Sequence, residues 1–270
     1  MAHFAFCLIN QKGGCGKSST CFHLAGAFAG LGYQVLLVDV DPQGSLSQGF
    51  LGPDFVENLP AHETLAALFD ESSFFMDHRS LIRKTPFPGI SLIPANQTLA
   101  EFNTPRPETS GMMQYAIREL LDTQTEYDIV LLDCPPNLYQ CSWNAMIATD
   151  YVLIPVPPED FGTQGLRAVH QSIDQARQLN TGLRRMGHIV TRYDRRLVVH
   201  RSYEELLREL YHEFVLDTTI PEASAYKVSL ACRQPVEFYS AKSPAAVSMR
   251  TLAEEMLARA TKREGKRRVG

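Results

Sequence analysis

Short apolar runs alternate with longer amphipathic stretches along most of the chain. That is the pattern of a mostly parallel, twisted sheet with helices on both faces. Strands are predicted at Phe4–Ile9, Val35–Val38, Ile90–Ile93, Ile129–Leu132, Val152–Val156, His188–Thr191 and Asp217–Ile220. The run Asp128-Ile-Val-Leu-Leu-Asp133 is apolar between its ends, as a strand covered on both faces requires. Helices are predicted at Lys17–Leu31, Glu63–Phe69, Gly111–Leu121, Thr163–Leu179, Ser202–His212 and Ala245–Ala260. In the last of these Val247, Leu252, Met256 and Ala260 recur at roughly helical spacing. Thr85–Gly89 and Asn103–Pro107 read as loops. The expected architecture is one α/β domain over residues 1–261. A basic tail, 262–270, has Val269 as its one bulky apolar residue and is expected to fray.

Composition narrows the class without naming it. A 270-residue chain with 44% hydrophobic and 21% charged residues is neither disordered nor fibrous. No apolar run approaches the ~20 residues of a membrane span, so integral membrane association is not expected. The six cysteines (7, 15, 21, 134, 141 and 232) lack paired metal-ligand spacing, which favours a reduced, cytoplasmic setting. The net charge of -4 conceals an asymmetry. Residues 1–180 carry 9 basic and 19 acidic side chains, whereas residues 181–270 carry 17 basic and 11 acidic ones. Such a split hints at a surface that faces a polyanion.

Candidate chemistry is concentrated in three segments. Lys12-Gly-Gly-Cys-Gly-Lys-Ser-Ser19 follows the first strand and opens the first long helix. Glycines there let successive N–H groups turn toward a phosphate, and the helix adds its positive end. The loop Gly13, Gly14, Cys15 and Gly16, with Ser18 and Ser19, would cradle the phosphates. Lys17 would reach the terminal phosphates and Ser18 would meet Mg²⁺. Gln11 occupies the first glycine position of the strict pattern, and a second lysine, Lys12, begins the loop. The second segment, Asp39-Val-Asp41-Pro-Gln-Gly44, puts two carboxylates on the same side of an extended chain after the second strand. The third, Tyr127-Asp-Ile-Val-Leu-Leu-Asp133-Cys-Pro-Pro136, is a strand ending in a carboxylate.

Together these segments resemble the ParA/MinD family of P-loop ATPases, and Asp133-Cys-Pro-Pro136 is typical of ParA. The resemblance spans about residues 4–260 and takes in Asn144, Val152-Leu-Ile-Pro-Val156, Gly165-Leu166 and Thr218-Thr-Ile-Pro221. It implies that Lys12 reaches across a dimer to the other subunit's nucleotide. It also implies that Lys17 is the loop lysine, that Asp41 positions the attacking water, and that Asp39 and Asp133 serve the Mg²⁺ shell. Thr191 and Pro221 are placed at the adenine. The cysteine pair Cys134 and Cys141 does not match the cluster ligands of the related iron–sulfur reductases. Two departures stand out. The Ile-Pro segment continues with Glu222 where many relatives carry an arginine, so DNA contacts cannot be carried over one by one. Nor does a helix-turn-helix segment precede the first strand, which speaks against site-specific operator binding.

The resemblance implies an ATP-sandwich homodimer that binds DNA nonspecifically on the nucleoid. It further implies slow hydrolysis stimulated by a ParB-like activator, and plasmid, chromosome or protein cargo. Candidate phosphate contacts are Arg184, Arg185, Arg195, Arg196, Arg201, Arg233, Lys242 and Arg250. The alternative is a MinD-like membrane-associated ATPase, which needs a bulky apolar face on a C-terminal helix that residues 260–270 lack. A metabolic enzyme on the same scaffold is a third class, although no motif here names its acceptor.

Overall fold

A computed structural model describes residues 4–70, 77–158 and 163–267. Seven strands form one sheet among the described residues: β1 (Phe4–Leu8), β2 (Val35–Asp39), β3 (Arg83–Lys84), β4 (Ile90–Ile93), β5 (Ile129–Asp133), β6 (Tyr151–Val156) and β7 (Arg184–Val190). Their order is β3-β4-β2-β5-β1-β6-β7. All pairings are parallel except that of the two-residue edge strand β3 with β4. The central strands β1, β2 and β5 are buried throughout, which is why their sequences are unbroken apolar runs.

The α-helices are α1 (Lys17–Gly30), α2 (Ser45–Leu51), α3 (Pro53–Glu57), α4 (Ala116–Asp122), α5 (Gln140–Ala148), α6 (Thr163–Ala176), α7 (Val198–Tyr211), α8 (Ser224–Ala231), α9 (Val236–Ser240) and α10 (Pro244–Arg267). One face of the sheet packs against side chains of α4, α5, α6 and α7, such as Ile117, Met146, Val169 and Leu207. The other packs against α1, α2, α8 and α10, through Phe22, Leu46, Tyr226 and Met256. Two sandwiched cores result, as a doubly covered sheet demands. Helix α1 lies so close to the segment before α9 that a Cβ on Gly26 would sit 2.4 Å from Pro235 Cβ.

Several expectations change. The strand predicted at Asp217–Ile220 is not a ladder strand: isolated bridges flank it, His188 with Val215 and Tyr193 with Pro221, and within it the Ile220 N–H donates to the Val190 carbonyl at 2.8 Å. The cause is competition for its donors, because the Asp217 and Thr218 N–H groups give their hydrogen bonds to the Glu255 carboxylate at 2.8 and 2.9 Å. Strand β7 begins at Arg184 rather than His188 and runs through Gly187 at φ 141°, where the pairing register with β6 shifts. A Cβ on Gly187 would stand 2.5 Å from the Phe214 carbonyl oxygen. The helix predicted at Glu63–Phe69 is instead 3₁₀, Ala61–Glu63 and Leu65–Phe69, with Thr64 Oγ1 accepting from Ala66 N–H at 3.3 Å, and the one predicted at Gly111–Leu121 starts as 3₁₀ over Gly111–Tyr115 and runs into α4. Helix α10 continues to Arg267, into the segment set apart as a fraying tail, while residues 268–270 lie outside the described ones.

Candidate functional site

Loops after β1, β2 and β5 meet at the carboxyl ends of the central strands, where open α/β sheets bind ligands. After β1 the backbone turns through Gly14 (φ 73°) and Gly16 (φ 91°), conformations that other residues adopt only with strain. Gly16 is the residue before α1, so the first-turn N–H groups of that helix open into the loop. Lys17 is 6% exposed. Its Nζ donates back across the loop to the carbonyl oxygens of Asn10 at 3.1 Å and Lys12 at 3.3 Å. Asn10 closes the turn from the other side: its Oδ1 accepts from Lys12 N–H at 3.1 Å, and its Nδ2 donates to the Pro155 carbonyl at 2.7 Å. The side chain of Lys12 is exposed. The loop is therefore preformed around the ammonium of Lys17 and presents Lys12 outward.

Three carboxylates surround this loop. Register pairs Asp39 with Asp133 across β2 and β5, and both are fully buried. Asp39 Oδ2 accepts from the Ser47 N–H at 2.8 Å and the Ser47 hydroxyl at 2.6 Å, while Oδ1 accepts from Asp41 N–H at 3.2 Å. Burial raises its pKa, and the Ser47 hydrogen bonds oppose that rise. Asp41 accepts from Gln43 N–H at 2.9 Å. Burial raises its pKa too, against that N–H and the nearby Lys17 charge. Asp133 differs from both. Neither of its oxygens has a hydrogen-bond partner of normal geometry, and the Ser18 hydroxyl is near enough only to favour the charged form. Burial and the Asp39 charge push its pKa well up. Two orphaned, buried carboxylate oxygens beside a serine hydroxyl are oxygen donors of the kind a hydrated divalent cation satisfies. Asp39, by contrast, spends its acceptors on the loop that carries Asp41, and is less free than Asp133 to face a cation.

Thr191 and Pro221 line one cleft of about 240 Å³ together with Gly14, Gly16 and Ser19. The Thr191 hydroxyl donates to the Cys15 carbonyl at 2.8 Å, fastening the phosphate loop to the end of β7. Glu222, at the position where an arginine was expected, lines the same cleft and pairs with Lys227 at 2.5 Å and Arg192 at 3.3 Å. A larger cleft of about 610 Å³, lined by Arg118, Asp150 and Asn180, lies at the opposite end of the sheet and carries none of these groups.

The eight basic candidates do not gather in one place. Arg184 and Arg185 stand at the start of β7, the sheet end away from the phosphate loop, whereas Arg195, Arg196 and Arg201 follow its other end. Arg185 is held by Asp174 at 2.6 Å and by the His170 ring at 3.1 Å. Arg250 is paired with Glu237, and Arg196 with Asp194 at 2.7 Å. Arg233 and Lys242 are exposed beside α8 and α9. Cys7, Cys15, Cys21, Cys134 and Cys141 are buried free thiols, in keeping with packing, and Cys232 is exposed. Two residues that sequence reasoning missed are Asn10 and Ser47. The only signal for either was a polar residue adjoining an apolar run or a turn.

A strand–glycine loop–helix junction with a buried lysine, flanked by strand-end carboxylates, defines a P-loop nucleotide-binding protein of the α/β class. Residues 5–185 match the model of a family described as an AAA domain. The chain is 34% identical over 255 residues to the chromosome-partitioning ATPase Soj of Thermus thermophilus, covering 93% of this chain and 94% of that one. It is 31% identical over 263 residues to the chromosome partitioning protein ParA of Caulobacter vibrioides, covering 96% of each. The chain belongs to the ParA family of partition ATPases. Among solved structures, cobyrinic acid a,c-diamide synthase from Mycobacterium smegmatis, with a bound ATP analog and magnesium, superposes at TM-score 0.78. It is 26% identical, and 95% of each chain is covered. Apo McdA from Cyanothece superposes at 0.80 with 21% identity, covering 94% of this chain and 99% of that one, a likeness of fold.

Proposed function

We propose that this chain is a Mg²⁺-dependent ATPase switch that dimerises around ATP, binds DNA nonspecifically as a dimer, and releases both on hydrolysis. In this reading it positions a plasmid, chromosome or protein cargo on the nucleoid in the cytoplasm, with a ParB-like partner stimulating turnover. The observation that carries the proposal is the division of labour between two lysines of one loop. Lys17 is buried and directed into the loop, while Lys12 is exposed at its rim. In this reading the exposed Lys12 meets a nucleotide held by a second subunit.

The residues then act as follows. The Gly13–Ser19 backbone and Lys17 hold the phosphates, and Thr191, Pro221 and the cleft they share receive the base. Asp133 and Ser18 would hold the cation, with Asp39 behind them. When bound, Mg²⁺ neutralises charge on the phosphate oxygens. Asp41, beside Lys17 and raised by burial, accepts a hydrogen bond from the attacking water and aligns it. Nothing in this arrangement adds an arginine to the transferring phosphate, which accords with slow intrinsic turnover and a group supplied by a partner. For DNA, the positions left without an ion pair among the described residues, Arg195, Arg201, Arg233 and Lys242, are favoured over Arg184, Arg185, Arg196 and Arg250.

The test is DNA binding across a salt series with ATP, with ADP and without nucleotide. ATP-specific binding that weakens steeply with salt supports the switch. Equal binding in the three states sinks it.

A further inference from the structure

The cleft that Thr191 and Pro221 share with the phosphate loop is also lined by three charged side chains, Arg192, Glu222 and Lys227. Arg192 Nε donates to Glu222 Oε2 at 3.3 Å, and Lys227 Nζ donates to Glu222 Oε1 at 2.5 Å. Each carboxylate oxygen is thus gripped by its own cation, which fixes the plane of the group. The hydrogen bond from Lys227, with that from Arg192, holds the Glu222 carboxyl below its usual range, so it stays ionised. An ionised carboxylate offers about four acceptor positions, and two cations do not exhaust them. The rest of the wall is apolar at Ile220, Tyr226 and Met249, which suits a flat heterocycle.

The frame behind these charges is rigid. Tyr193 N–H donates to the Ile220 carbonyl at 2.9 Å and Glu222 N–H to the Tyr193 carbonyl at 3.0 Å, which laces the two segments together. Arg192 stands at φ 54°, a left-handed conformation that is unfavourable for a residue with a side chain. Ordinary surface stability does not account for it. The Lys227 and Arg192 side chains are 73% and 48% exposed, and ion pairs so exposed contribute little. Backbone strain kept beside a cleft points instead to a constraint set by what the cleft binds.

We infer that the Arg192–Glu222–Lys227 triad is the specificity determinant of the base cleft and selects a 6-aminopurine over a 6-oxopurine. Across its hydrogen bonds the triad runs donor, acceptor, donor. The edge of adenine through N7, the N6 amino group and N1 runs acceptor, donor, acceptor, which is its complement. A 6-oxopurine puts a carbonyl oxygen in place of the amino group and an N1–H in place of an acceptor. Glu222 then faces an oxygen, and one of the cations faces a donor. Such a mismatch leaves charged groups unpaired, and that is how a polar site rejects a near-isostere. The inference rests on the assignment of this cleft to the base and names the feature of the base that it reads.

The test is calorimetric titration of the full-length protein and of Glu222→Gln with ATP, inosine triphosphate and GTP, each with Mg²⁺. Inosine triphosphate shares the ribose and phosphates of ATP, so the phosphate loop contributes equally to both. The wild type is expected to bind ATP about tenfold or more tightly than either 6-oxopurine, the loss of one charge-assisted hydrogen bond. Glu222→Gln should narrow that ratio to about threefold or less, because an amide can turn its oxygen to an amino group or its N–H to a carbonyl. The ratio is the readout, since unpairing Arg192 and Lys227 shifts the affinity of every triphosphate alike. A purely structural Glu222 would leave it unmoved. Equal wild-type binding of the three nucleotides, or a preference for a 6-oxopurine, overturns the inference and leaves the nucleotide site standing. An unchanged ratio in Glu222→Gln, with melting that shows the variant folded, overturns it as well. Binding of none of the three overturns the ATPase reading and this inference together.

Discussion

Replacing Ser47 with alanine would test whether Asp39 is a structural anchor for the loop that carries Asp41. The Ser47 hydroxyl is fully buried and serves twice, donating to Asp39 Oδ2 at 2.6 Å and accepting from Ala95 N–H at 3.0 Å. Ser47→Ala removes a hydrogen bond to a charged group, worth about 1.5–3 kcal/mol. It also strands a buried N–H, at a cost of about 1–3 kcal/mol. The sum, about 2.5–6 kcal/mol, is a large share of a typical net stability of about 5–15 kcal/mol. At about 2–4 °C per kcal/mol for a chain of this size, the melting temperature should fall by about 5–24 °C. A second effect has a definite sign. Because the Ser47 bonds favour ionised Asp39, losing one raises a pKa that burial has already raised. If the ionised form supports turnover, the acid limb of the ATPase pH profile moves to higher pH. Urea titrations of both proteins, with hydrolysis rates from pH 5.5 to 8.5, measure the two effects separately. A stability loss below about 1 kcal/mol with an unmoved profile would refute the anchoring role and return Asp39 to the cation shell.

Four further outcomes follow from the same geometry. Asp41→Ala should still bind ATP, seen by nucleotide fluorescence, while hydrolysis falls about 100-fold or more. Lys12→Ala should bind ATP as a monomer and fail to dimerise in sedimentation, because the cross-loop bonds to the Asn10 and Lys12 carbonyls come from Lys17. Gly26→Ala would drive a methyl against Pro235 at 2.4 Å and should destabilise by about 1–3 kcal/mol in a denaturant titration. Burial holds His188 down at about 3, against an unfolded value near 6.5. Its proton is therefore taken up only on unfolding as pH drops below about 6.5. Stability should fall by about 2 kcal/mol for this group between pH 7 and 5, and His188→Gln should flatten that slope.

The central strands and the phosphate loop were legible because their constraints are local. A strand buried on both faces must be largely apolar, and β1, β2, β5 and β6 are, apart from the carboxylates Asp39 and Asp133 that end β2 and β5. A loop that turns N–H groups toward phosphate needs glycine at φ > 0, and Gly14 and Gly16 stand there. The misplacements have non-local causes. Residues 217–220 read as a strand from their own pattern, yet Glu255, thirty-eight residues on from Asp217, takes the N–H groups that would have completed the ladder. The beginning of β7 was hidden because Arg184 and Arg185 interrupt the apolar run, and a glycine under the Phe214 carbonyl lets the strand pass.

The charge asymmetry behaves in the same way. As a sum over residues 181–270 it is real, but a sum carries no geometry. Arg185 is drawn into Asp174 and His170, and Arg250 into Glu237, so part of the basic excess stabilises the α6–β7 and α9–α10 contacts. Part of what remains surrounds the chain beyond Thr191, whose hydroxyl is tied to the phosphate loop at Cys15. Arg195 and Arg201 are separated from that threonine by only a few residues of loop and the first turn of α7. A change in the loop on nucleotide binding therefore has a short covalent route to the arginines most available to phosphate. Thr191→Val keeps the shape and cuts the hydrogen bond. If this route couples the two sites, the variant should bind ATP nearly as well as the wild type, yet show DNA binding that no longer distinguishes ATP from ADP. Retained discrimination would mean that the coupling runs through the dimer interface alone.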